Sequence, residues 1–71
     1  MRYLVVVERG TASWGAYVPD LPGCAVAAQS RDEAVELIRP AIELHLEGLR
    51  EDGETLPEPH SEAEYVDVSA A

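Results

Sequence analysis

The chain has 71 residues, with 14 Asp and Glu set against five Arg and no Lys, a formal charge of -9 and a pI near 4.3. This length allows one small domain, residues 1–71, that buries only ~60% of its unfolded surface and so leans on an oligomer or partner. The charge argues against nucleic-acid binding. A single cysteine and no secretory leader point to a reducing cytoplasm, and the longest early apolar run, Tyr3 to Val7, is far short of the ~20 residues that cross a bilayer.

Tyr3-Leu4-Val5-Val6-Val7 is apolar on both alternating faces, the pattern of a central strand covered on both sides. A glycine-containing turn at Arg9 to Ala12 leads into Ser13 to Val18, a second strand with Trp14, Ala16 and Val18 on one face. The six residues Pro19-Asp20-Leu21-Pro22-Gly23-Cys24 then turn the chain into a small-residue third strand, Ala25 to Gln29. Ser30 followed by Glu33 is a capping box, so a helix runs from Arg31 to about Asp52 and closes at Gly53.

Pro40 interrupts that helix and costs ~3 kcal/mol, yet it lies on the wheel with Glu36, Glu43 and Glu47, so the freed carbonyl of Glu36 faces water and the helix bends convex to solvent. Its apolar residues, from Ala34 to Leu49, span an arc of ~200°, twice what one sheet can cover. Leu37 and Leu44 at one edge, and Val35 and Leu46 at the other, are left for a second surface. After the proline-rich Leu56 to Ser61, Ala63 to Val68 alternates as a fourth strand. The expected fold is α+β in the order β-β-β-α-β. A right-handed crossover makes a four-stranded mixed sheet of order 3-2-1-4, with one long helix on one face.

The residues offer little chemistry. Cys24, His45 and His60 match no zinc spacing, Cys24 has no neighbouring base or cation, and neither a G-x-S-x-G elbow nor a P-loop lysine is present. Cys24 reads as a small buried residue and His45 as a core or interface histidine. The strand and helix order is similar to half of a ribonuclease H fold, but Tyr3 to Val7 holds no carboxylate for its metal pair. No catalytic residue, metal or cofactor is expected.

The Pro19 to Cys24 segment, the capped helix opening Ser30-x-x-Glu33-Ala34, the run Ala41-Ile42-x-Leu44-His45-Leu46, Gly53 and Leu56-Pro57-x-Pro59 together resemble the HicB antitoxin family. The resemblance implies a partial ribonuclease H-like fold without nuclease activity, which binds a small basic mRNA interferase, HicA, and covers its RNA surface. It also implies a homodimer or homotetramer. Longer family members carry a C-terminal DNA-binding domain; with the sequence stopping at Ala71, none is expected here.

The expected function is therefore a cytoplasmic, non-enzymatic antitoxin. Glu36, Glu43 and Glu47 would steer a basic partner, an exposed loop at Asp20, Leu21 and Pro22 would make shape-specific contact, and Leu37, Leu44 and Leu46 would form an oligomer interface. The alternative is an oligomeric structural or ligand-binding module of the same fold without a toxin.

Overall fold

A computed structural model describes residues 1–70. Three strands, β1 (Val6–Arg9), β2 (Trp14–Tyr17) and β3 (Ala25–Ala28), precede one helix, α1 (Arg31–Glu51). The sheet is antiparallel throughout in the order β1-β2-β3, with Val6 opposite Tyr17 and Trp14 opposite Ala28. The loop between β1 and β2 is closed by the Gly10 amide donating to the Ser13 carbonyl at 2.8 Å.

Local chemistry fixes the helix ends. The Glu33 amide donates to Ser30 Oγ at 3.2 Å, and the Glu33 carboxylate accepts from the Gln29 amide, one residue upstream of the cap, at 3.1 Å. At the far end Gly53 adopts φ +72°, and the amides of Gly53 and Glu54 return to the carbonyls of Arg50 and Leu49. A left-handed glycine costs no Cβ clash there and satisfies carbonyls the helix would leave unpaired. Pro40 is exposed inside the helix, on the side away from the sheet.

α1 lies across β3 and β2 more than β1. Its Ala34 and Ile38 join Ala16, Val18, Leu21, Cys24 and Ala28 to form the buried core. Three of these seven are alanines, which lets helix and sheet backbones approach closely but removes little apolar area from water. Trp14, Ala16 and Val18 share the helix-facing side as their spacing requires, with Ala16 and Val18 buried and Trp14 packed against the core.

Two expectations fail. Residues 63–68 form no strand, so the sheet has three strands and no 3-2-1-4 order, and β1 is an edge rather than a central strand. Residues 62–70 are exposed throughout, with Tyr65 at 100%, Val66 at 73% and Val68 at 81%. Alternation states which side chains share a face; it cannot supply a partner strand, and a strand exists only where its backbone groups are paired. The two-sided apolarity of Tyr3 to Val7 has another origin. Tyr3, Val5 and Val7 pack on the core, while Leu4 lines a groove shared with Pro59 to Ala63.

Candidate functional site

The turn from β2 to β3 is two β-turns in succession. The Leu21 amide donates to the Val18 carbonyl and the Cys24 amide to the Leu21 carbonyl, both at 3.0 Å, and the Val18 amide closes the whole loop onto the Cys24 carbonyl at 3.1 Å. Pro19 and Pro22 each occupy the second position of a turn, where their fixed φ is wanted and their missing amide is not needed. Gly23, at φ +86°, fills the third position of the second turn, a left-handed site that a side chain would strain.

This loop is folded inward. Leu21 is fully buried and Asp20 is 5% exposed, so the expected exposed contact loop is corrected: of its three residues only Pro22 is exposed. The Asp20 carboxylate instead holds the chain after the helix. Oδ2 accepts from the backbone amides of His60 at 2.8 Å and Ser61 at 2.9 Å, and Oδ1 accepts from the Ser61 hydroxyl at 2.6 Å. His60 Nδ1 lies 3.2 Å from Oδ1, an ion pair when the imidazole is protonated. A buried carboxylate needs several donors to offset lost hydration, and this one has them. A second tie binds the same stretch, the Tyr3 hydroxyl donating to the Pro57 carbonyl.

These donors, the Ser61 hydroxyl first, hold the Asp20 carboxyl down at about 2, against an ordinary 3.8. Because the folded value is depressed, the contribution to stability is complete above about 3.8 and disappears as pH falls toward 2. Asp20→Asn replaces one acceptor oxygen by a donor facing donors. The His60 and Ser61 amides are then expected to lose at least about tenfold of their hydrogen-exchange protection at neutral pH, and wild type to lose it only in acid. Equal protection in the variant and wild type would show that Asp20 is not the anchor.

Sequence reasoning missed the roles of His60 and Ser61, which are 40 and 41 residues from Asp20. The available signal was a lone acid between two prolines with no cation nearby, a group that must find donors if its loop is buried.

The remaining expected positions lie on α1. Glu36, Glu43 and Glu47 are exposed and lie in no ion pair among the described residues; Glu43 and Glu47 border an open depression with Leu46, Arg50 and Glu51. Leu37 is 42% and Leu44 71% exposed, whereas Leu46 is half-buried against the core on the opposite edge of the helix. The structure thus separates Leu46 from the other two. Cys24 is buried, and burial pushes its thiol above the usual range, which opposes a nucleophilic role. No group of three or more His, Cys, Asp or Glu is placed to hold a metal among the described residues. No described helix is long and apolar enough to cross a membrane.

α1 thus presents an acidic side and exposed leucines, and the chain after it is pinned at His60 and Ser61. The chain is 35% identical over 66 residues to an uncharacterized 14.9 kDa protein of the rep-hol intergenic region of Haemophilus phage HP1, covering 93% of this chain and 50% of the phage protein. It is 42% identical over 57 residues to a UPF0150 protein of Archaeoglobus fulgidus, covering 76% and 83% of the two chains. Against Antitoxin HicB 2 of Photorhabdus laumondii it is 29% identical over 72 residues, covering 100% of this chain and 52% of that one. The chain therefore spans about half the length of the phage and Photorhabdus relatives. No solved structure matches. The family described as the HicB_like antitoxin of bacterial toxin-antitoxin systems matches residues 3–70, turn, capped helix and C-terminal segment together, and the chain belongs to it.

Proposed function

We propose that this protein is a cytoplasmic, non-enzymatic antitoxin that binds a small basic, HicA-like ribonuclease toxin and blocks access of RNA to it. The observation that carries the reading is the family match over residues 3–70. A net charge of -9 supports it, because a basic ribonuclease is drawn to an acidic surface by the attraction it uses for RNA. Glu36, Glu43 and Glu47, exposed on one side of α1, are the steering positions, and Pro22 is the exposed apolar contact left at the β2–β3 turn. The protein works as a homodimer or homotetramer.

The reading expects a small basic protein to be encoded beside this chain; expressing that protein should arrest growth, and co-expression of this chain should restore it. Arrest that persists despite soluble expression of this chain would remove the proposal.

A second reading, an oligomeric module without a toxin, draws on the archaeal relative. It is the one of the three whose length this chain mostly spans, and its name carries no antitoxin function. The absence of any small basic protein encoded beside this chain would favour it.

A further inference from the structure

The two exposed leucines of α1 do not stand alone. Leu37 and Leu44 are 42% and 71% exposed, and half-buried Ala41 and exposed Gly48 fall on the same line. At about 100° per residue the four lie within about 60° of one another, a strip about 16 Å long. Its members recur at alternating intervals of four and three residues, the spacing by which one helix receives another.

Gly48 is the member that this chain's own fold does not call for. It lies inside α1, has no left-handed φ, and a Cβ built on it meets no atom within 4 Å. Glycine weakens a helix interior relative to alanine, so neither backbone nor packing within the chain gains from it. What the missing side chain supplies is a recess beside Leu44, open to close approach from outside.

The charge around the strip selects what approaches. Glu47 and Glu51 border its solvent side on the helical wheel and enter no ion pair among the described residues. Arg39 and Arg50 fall on the opposite side of the helix, and Arg31 is engaged by Asp32 at 3.6 Å. A second copy fits poorly. An antiparallel pair centred between Ala41 and Leu44 would bring Glu51 of each copy near Glu33 of the other, with no arginine between them and a charge of -9 on each chain. A cationic helix meets the same acids with attraction.

We propose that the strip Leu37, Ala41, Leu44 and Gly48 receives an amphipathic helix of a basic protein, with apolar side chains seated over Ala41 and Gly48 and lysines or arginines against Glu47 and Glu51. This is the helix-on-helix mode of recognition, in which apolar anchors hold and flanking charges choose the partner. It rests on the antitoxin reading and specifies where the basic toxin is gripped. Any self-association is left to other surfaces.

Binding kinetics of the full chain with the small basic protein expected to be encoded beside it test this. Leu37→Ala with Leu44→Ala should keep the helix content, raise the dissociation rate at least about tenfold and leave the association rate within about twofold. Gly48→Ala should melt at a higher temperature than wild type yet dissociate at least about tenfold faster, because its methyl group fills the recess. A glycine with a role only inside the fold would give the reverse in melting. A wild-type chain that does not bind overturns the antitoxin reading and the strip with it. Wild-type binding that both variants retain with unchanged dissociation rates overturns the strip alone. A wild-type chain that sediments as a dimer and becomes monomeric on Leu44→Ala assigns the strip to a second copy and overturns the proposal as well.

Discussion

Replacing Leu21 by alanine is expected to remove about 3 kcal/mol of stability, a third or more of what the protein has. Leu21 is the largest side chain that is fully buried, and it sits between the two turns that join β2 to β3. Truncating a buried leucine removes its transfer free energy and leaves a cavity, together about 3 kcal/mol. A domain of this size has roughly 4 to 10 kcal/mol of stability in total. The rest of the core cannot compensate, because three of its seven members are alanines and collapse around the void would have to move backbone. Denaturant titration checks this. A loss of unfolding free energy below about 1 kcal/mol would mean that the turn is not part of the core.

Reversing the acidic side of the helix is expected to have the largest effect on partner capture. Glu36→Lys, Glu43→Lys and Glu47→Lys each change the charge by two, so the triple variant goes from -9 to -3. The side chains are exposed and unpaired among the described residues, so folding should be little affected. Association with a basic toxin should slow by about ten- to a hundredfold at low salt, with a shallower dependence on ionic strength and little change in the dissociation rate. Stopped-flow association across a salt series reads all three quantities. An on-rate within twofold of wild type would show that these glutamates are only a solvated face.

The parts of the fold that were legible in the sequence are those whose chemistry is local. Ser30, Glu33 and Gly53 mark the helix ends because capping acts over three or four residues. Pro19, Pro22 and Gly23 mark the turn because each restricts or frees its own φ. The segment Ala63 to Val68 was misplaced because its pattern describes side chains, while a strand is defined by a backbone neighbour that a single sequence does not name. Asp20 was misread for a related reason. An acid between prolines looks solvated until donors from His60 and Ser61 arrive from the other side of the helix. The exposure of Glu36, Glu43 and Glu47 was legible from their spacing on the helix, while the anchor at His60 and Ser61 was not.

The central claim is that this chain captures a basic ribonuclease and silences it. Calorimetric titration of the purified chain into the small basic protein that the proposal expects to be encoded beside it, with RNA cleavage followed on the same samples, tests this most directly. Saturable binding with cleavage falling in step is the expected result. Cleavage that continues undiminished at saturating chain, or no binding at all, would contradict it.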